Sequence, residues 1–251
     1  MSADAYSDPV LLAQYLHFHY AEEADYLPWS AGPREALEFP RRCAALLLGE
    51  IGAAPALPSG IPRVVELGCA VGRASFELSA SASVDALDYS DPFIAAALCL
   101  KDEGILPYSF GWEGAQVREF TAHRPPHARP ERIRFIQGDA CAPPAAWRDF
   151  DGLLLANVLC RLPDPAGCLR HLPRLVRPGG VAVVTTPCSW SAAFTPPEAW
   201  LCASGSTLEG IRAALDGAFR LRRTLDMPML IREHARKYQW TVTQASVWER
   251  V

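Results

Sequence analysis

The stretch "VVELGCAVGRASFELS", Val64–Ser79, constrains the fold more than any other part of the chain. An apolar run breaks at Gly68 and Gly72, and an amphipathic helical pattern follows at once. This is the pattern of a strand that delivers its carboxyl end into a tight turn opening a helix. The alternation then repeats. "RVVELG" (63–68) reads as a strand and "GRASFELSAS" (72–81) as a helix. "SVDALD" (83–88) is a second strand, and "DPFIAAALCLKDEG" (91–104) is a second helix, capped by Asp91 with Pro92 in its first turn. "IRFIQGD" (133–139), "FDGLLLANVL" (150–159) and "GGVAVVTTP" (179–187) are further strands. "PAGCLRHLPRLV" (165–176) is the helix between the last two, irregular at Pro173. Near-continuous apolar strands separated by helices predict an α/β fold, a doubly wound, mostly parallel sheet covered on both faces.

The two ends of the chain differ from this pattern. "FRLRRTLDMPML" and "YQWTVTQASVWERV" alternate in character and predict antiparallel edge strands at the C-terminal end. The Pro-rich "AAPALPSGIP" (53–62) separates an N-terminal helical segment from the rest. The expected organisation is a helical lid and connector over residues 1–62 and an α/β domain over 63–251, together one compact unit. The polar, Pro- and Arg-rich segment 105–131 carries no regular element in this reading.

The chain has 251 residues and a formal charge of −4, which argues against a phosphate-backbone partner. The short basic clusters "PRR" and "RLRR" read as solvated faces, so no nucleic acid is expected. No basic segment followed by an apolar run opens the chain, and no apolar stretch nears the roughly 20 residues that span a bilayer. The expected location is cytoplasmic, away from membranes. No two of the eight cysteines have C-x-x-C spacing, so they read as small buried hydrophobes in a reducing compartment. His17 and His19 lie two apart on one helix and point to different faces. With Glu22 they make no metal site, and no metal is expected.

In a doubly wound sheet the ligand lies at the carboxyl ends of the strands, where strand order reverses. A pyrophosphate needs a second glycine for close backbone approach, yet the loop reads G-C-A-V-G with Ala70 in the middle. Glu66 would also repel phosphate. S-adenosylmethionine carries a sulfonium and an ammonium and no phosphate, so Glu66 suits its cationic end. The loop resembles the E/D-x-G-x-G-x-G loop of class I S-adenosylmethionine-dependent methyltransferases, which implies a seven-stranded Rossmann-like sheet. Asp88 falls where an acid accepts both ribose hydroxyls, about 20 residues past the loop. Asp139 falls where that family places an acid on the adenine amino group. The donor would thus meet Glu66, Gly68, Cys69, Ala70, Gly72 and Arg73; Asp88, Tyr89 and Ser90; Asp139 and Ala140; and Asn157 and Val158. Cys69 either fills the loop or, at a helix start, has a lowered pKa.

The flanking segments narrow the resemblance. "YLHFHYAEEADYLPWSAGPREALEFPRRCA" (15–44), "LLANVLCRLPDP", "TTPCSW…FTPPEAWL" (185–201) and "DMPMLIREHARKYQWTVTQASVW" (226–248) occur together. The combination is similar to the 4-mercaptohistidine N-methyltransferase family of ovothiol biosynthesis, usually the C-terminal domain of a sulfoxide synthase. The resemblance implies methylation of the π nitrogen of 5-thiohistidine, giving ovothiol A and S-adenosylhomocysteine. The last step alone is expected here, with a sulfoxide synthase as a functional partner. Methylation of histidine or another imidazole thiol is the alternative within enzymes. A catalytically idle cofactor-binding partner of the synthase and a nicotinamide-dependent oxidoreductase are the alternatives outside it.

Acceptor contacts are sought in the same flanking motifs. Asn157, at the mouth of the donor site, can hold the imidazole or the methionine moiety, or simply cap a turn. Arg34 and Arg232 suit an α-carboxylate, with surface or ion-pair roles as the alternative. Glu233 can take the ammonium, His234 can steer the tautomer or accept a proton, and Lys237 and Tyr238 can meet carboxylate or thiolate. Tyr20 and Tyr26, with Tyr15 and Trp29, would form an aromatic lid over the sulfonium, or pack in the core. Trp190 and Trp200 would wall the pocket, or serve as core tryptophans.

Overall fold

The computed structural model describes residues 8–54, 60–203 and 205–251. The centre of the predicted connector, 55–59, lies outside them. The chain runs α1 (Pro9–Tyr20), α2 (Glu23–Tyr26), α3 (Phe39–Gly52), β1 (Arg63–Leu67), α4 (Arg73–Ser79), β2 (Ser83–Asp88) and α5 (Asp91–Asp102). It continues β3 (Ile105–Glu113), β4 (Gln116–His123), β5 (Ile133–Gln137), β6 (Phe150–Ala156), α6 (Pro165–Leu175) and β7 (Val176–Thr186). It closes with α7 (Thr207–Leu215), β8 (Phe219–His234) and β9 (Lys237–Arg250).

Seven strands form one sheet in the order β5-β2-β1-β6-β7-β9-β8. The first five are parallel, while β9 runs antiparallel to both β7 and β8. This is the doubly wound, mostly parallel sheet with antiparallel C-terminal edges that the hydrophobic pattern predicts. Every residue of β6 except the last is buried, as is every residue of β1 after Arg63, because helices cover both faces. On one face α1, α3, α4 and α5 pack around Leu47, Phe76, Phe93 and Leu154. On the other, α6 and α7 pack Leu169, Leu172 and Ile211 against Phe150 and Trp248. The α3 helix lies so close to β6 that a Cβ on Gly152 would stand 2.5 Å from Ile51 Cδ1. Burying a side chain such as Leu47 contributes about 2 kcal/mol.

Two local readings are corrected. The cap of α5 is Ser90, whose Oγ accepts the Phe93 N–H at 3.3 Å, and Asp91 is the first helical residue. Segment 105–131 is not structureless, since β3 and β4 form a two-stranded antiparallel hairpin. In β3 only Tyr108 and Phe110 are buried, two apart, which is enough to give one apolar face.

The β8–β9 hairpin overhangs the sheet. Its neighbour β7 ends at Thr186 opposite Gln244, whereas β8 and β9 stay paired as far as His234 and Lys237. The overhang extends beyond the carboxyl ends of the parallel strands. There Ala235 donates its N–H to Trp112 O of β3 at 2.8 Å. No helix among the described residues is long and apolar enough to cross a membrane.

Candidate functional site

Strand order reverses between β1 and β6, so the crevice opens above Leu67-Gly68 and Ala156-Asn157. The β1–α4 turn is held by Gly68 and Cys69, whose N–H groups donate to Leu87 O at 2.8 and 2.9 Å. Gly68 has φ +80° and Gly72 φ +87°. A Cβ on Gly68 would stand 2.3 Å from Val158 Cγ2, and one on Gly72 would stand 2.8 Å from Phe135 Cζ. Both glycines are therefore required by packing as well as by conformation. Ala70, where the expected loop has glycine, keeps the same left-handed backbone at φ +48°.

Asp88 explains how Ala70 is held there. Its Oδ2 accepts the Ala70 N–H at 2.8 Å and its Oδ1 accepts the Ser90 N–H at 2.9 Å. Each oxygen keeps a lone pair for a further donor. Burial pushes its carboxyl above the usual range, opposed by these backbone bonds. Tyr89 beside it is exposed. Asp139 follows β5, accepts the Cys141 N–H at 2.7 Å, and is followed by the buried Ala140. Glu66 is 3% exposed and accepts the Ser75 hydroxyl from α4. Burial raises its pKa from 4.5 to about 7, the Ser75 bond opposing and the Asp88 charge adding to the rise.

The carboxylates of Glu66, Asp88 and Asp139 thus stand at or just past the ends of three strands adjacent in the sheet. No lysine or arginine pairs with any of them among the described residues. This donor set fits a cationic, hydroxyl-bearing ligand and disfavours a pyrophosphate. Two other loop residues have different surroundings. Arg73 turns toward the N-terminal helices, donating to Glu77 Oε1 at 2.7 Å and His19 O at 2.8 Å. Cys69 fills the loop, and burial pushes its thiol well up, not down.

Asn157 stands across the crevice at φ +58°. Its N–H donates to Thr185 O at 3.0 Å, and its Oδ1 accepts the Thr185 hydroxyl at 2.9 Å. The carboxamide is thereby turned so that Nδ2 donates to Met229 Sδ on the overhanging hairpin at 3.2 Å and keeps one further N–H. An amide nitrogen can only donate, so the Nδ2 edge offers hydrogen bonds to a ligand, while Oδ1 keeps one further lone pair.

The flanking motifs meet above this crevice. Tyr26 Oη donates to Leu230 O at 2.6 Å and accepts the Arg232 N–H at 3.0 Å. Tyr238 Oη donates to Tyr26 O at 2.9 Å, and Trp29 Nε1 donates to Ala235 O at 3.2 Å. Arg232 is 1% exposed and donates to the carbonyls of Asp25, Tyr26 and His234. Its guanidinium lies 4.7 Å from the centre of the Trp112 ring, with no carboxylate partner. Tyr20 Oη donates to Val71 O at 2.7 Å, tying the end of α1 to the donor loop.

These contacts correct several acceptor assignments. The polar groups of Tyr26 and Tyr238 are spent on backbone, and Arg232 is enclosed as a clasp between the two motifs. Arg34 is exposed, pairs with Glu23 and donates to Trp29 O. Glu233 pairs with Lys237 at 2.6 Å, and the exposed His234 accepts the Arg236 N–H, all near the hairpin turn. Trp190 donates to Thr207 Oγ1 at 3.0 Å and stacks on Trp200, in the layer of α6 and α7. The sequence reading missed Thr185, Met229 and Tyr108, and passed over His17 as a non-ligand. A Thr next to the last residue of a strand and a Tyr inside an unassigned segment carried no signal.

A protein-family model described as "Methyltransferase domain" matches residues 31–241. No curated protein aligns significantly with the sequence. Solved structures share the fold at low identity. The [4+2]-cyclase SpnF is 15% identical with a TM-score of 0.61, over 98% of this chain and 94% of its own. A SAM-dependent methyltransferase from Aquifex aeolicus is 13% identical with a TM-score of 0.57, over 97% and 99%. The N-methyltransferase NodS from Bradyrhizobium japonicum WM9, in complex with S-adenosyl-L-homocysteine, is 17% identical with a TM-score of 0.52, over 95% and 98%.

Proposed function

We propose that this chain, which belongs to the methyltransferase domain family, transfers a methyl group from S-adenosylmethionine to the π nitrogen of 5-thiohistidine, giving ovothiol A. One observation carries the choice of acceptor. The two sequence motifs that resemble the thiohistidine N-methyltransferases, far apart in the chain, meet as one roof through Tyr26, Leu230, Arg232 and Tyr238. A pair of motifs shared only for the stability of the sheet would have no reason to converge on its ligand-binding end.

When bound, S-adenosylmethionine supplies a methyl group already activated by its sulfonium. Glu66 would face the cationic end, Asp88 the ribose hydroxyls and Asp139 the adenine amino group. The remaining work of the protein is alignment of the acceptor lone pair and exclusion of water. Asn157, held by Thr185, offers N–H to an acceptor atom, and a ring thiolate is a suitable one. Donation to the thiolate orients the ring, and the tautomer with its proton on the τ nitrogen leaves the π nitrogen its lone pair, so no strong protein base is needed.

The test is incubation of the protein with S-adenosylmethionine and either 5-thiohistidine or histidine, with the product located by mass spectrometry and NMR. Methylation of thiohistidine at the π nitrogen, much faster than histidine, is expected. Equal turnover of both removes the proposed specificity. Tight donor binding with no methylated product assigns an idle partner of a synthase instead.

A further inference from the structure

A cavity of about 410 Å³ lies between the α1–α2 junction and the β3–β4 hairpin, with Tyr20, Glu22, Asp25, Tyr108, Glu119 and His123 among its lining residues. Three carboxylates face it, and no lysine or arginine lines it among the described residues. Glu119 accepts the Ser109 hydroxyl at 2.7 Å. The side chains of Glu22 and Asp25 have no ion-pair partner among the described residues. The cavity wall is therefore predominantly acidic, with the Arg232 guanidinium the cation whose charge reaches Asp25 from behind it.

A second observation concerns Tyr108, which is 8% exposed. Its Oη lies 3.1 Å from His17 Nδ1, and His17 Nε2 lies 3.3 Å from Arg232 Nη1. A guanidinium can only donate, so Nε2 of His17 must be the acceptor and Nδ1 must carry the ring proton. His17 then donates to Tyr108, and the tyrosine's own proton is directed elsewhere. No described residue accepts it. His17 is held neutral by burial and by the Arg232 charge, with its pKa lowered to about 3, so this polarity does not reverse on mild acidification. The chain Arg232–His17–Tyr108 thus ends in an unfilled hydrogen-bond donor on the wall of an acidic cavity.

We propose that this cavity binds the zwitterionic end of a free amino acid, its ammonium among Glu22, Asp25 and Glu119 and its carboxylate on the Tyr108 hydroxyl. An amine alone would leave Tyr108 unfilled, and a carboxylic acid alone would meet three like charges. Tyr20, which lines the cavity and bonds the donor loop through Val71, makes the two sites share a wall. The proposal rests on the thiohistidine reading for the identity of that amino acid.

Calorimetric titration of the full chain, saturated with S-adenosylhomocysteine, tests it with 5-thiohistidine and with the analogue that lacks the α-amino group. The wild type should bind thiohistidine roughly tenfold or more tightly than the analogue. Asp25→Asn combined with Glu22→Gln should largely abolish that preference, and Tyr108→Phe should weaken thiohistidine binding about tenfold. Unchanged S-adenosylhomocysteine affinity shows that each variant is folded. A wild type that binds both compounds alike, or neither, overturns the proposal, and so do folded variants that bind thiohistidine as the wild type does. The two readings fail separately. Binding without methylated product removes the function and leaves the cavity; product formed with an unaltered KM in the variants removes the cavity and leaves the function.

Discussion

Replacing Glu66 by Gln keeps a partner for the Ser75 hydroxyl and removes a charge that the fold holds at a cost. The carboxyl titrates at 4.5 ordinarily and at about 7 in place, chiefly because it is buried. Between those values the folded chain holds a proton that the unfolded chain has released, so this residue's contribution to stability falls as pH rises. At roughly 1.4 kcal/mol for each pH unit, the loss is about 3 kcal/mol, complete above pH 7 and absent below 4.5. Urea unfolding of the ligand-free protein should find Glu66→Gln more stable than wild type by up to that amount at pH 8, and equal to it at pH 4. Comparing the two proteins cancels the opposite pH dependence of the buried histidines.

In the proposed donor site the same residue would set donor affinity. A cation that returns the carboxyl toward its ordinary pKa must displace a proton below pH 7, so S-adenosylmethionine should bind wild type about tenfold more weakly at pH 6 than at pH 8. The Gln variant should bind more weakly than wild type at pH 8 and lose this pH dependence. If the variant is less stable at pH 8, or its donor affinity tracks pH as the wild type's does, the electrostatic account of the crevice is wrong.

Other substitutions test the packing and the acceptor side. Gly68→Ala places a methyl 2.3 Å from Val158 Cγ2 and should cost about 3 kcal/mol in thermal unfolding; adding Val158→Ala should leave only the left-handed strain, about 1 kcal/mol. Ala70→Gly relieves that strain at φ +48° and should raise the melting temperature by about 1–2 °C, for a gain of up to about 0.5 kcal/mol after the glycine's own entropy. Thr185→Val frees the Asn157 carboxamide to turn, and should lower kcat about tenfold while leaving S-adenosylhomocysteine affinity, measured by calorimetry, unchanged.

Much of the crevice's lining was legible because strand ends and loop residues are neighbours in sequence. Glu66, Asp88 and Asp139 each follow an apolar run, so the parallel sheet alone delivers them to one edge. The acceptor side was legible as motifs but not as contacts. Arg232 had the chemistry of a carboxylate ligand, yet whether a guanidinium meets a ligand or backbone carbonyls depends on what folds over it. Here that is the end of α2, some 200 residues away in the chain. The β3–β4 hairpin escaped notice because its two buried aromatics, Tyr108 and Phe110, sit among Pro, Gly, Ser and charged residues that mask a period of two.

The overhang of β8 and β9 past Thr186 separates two kinds of adaptation. Residues 227–243 reach beyond the point where the hairpin leaves the sheet, so under the proposed function substitutions there would reshape what is methylated without unsettling the grip on the donor. Grafting that ribbon tip together with its α1–α2 counterpart onto a relative of the same fold would move selectivity as a cassette. Moving the ribbon tip alone would strand the Arg232 cation without the Asp25 and Tyr26 carbonyls that solvate it.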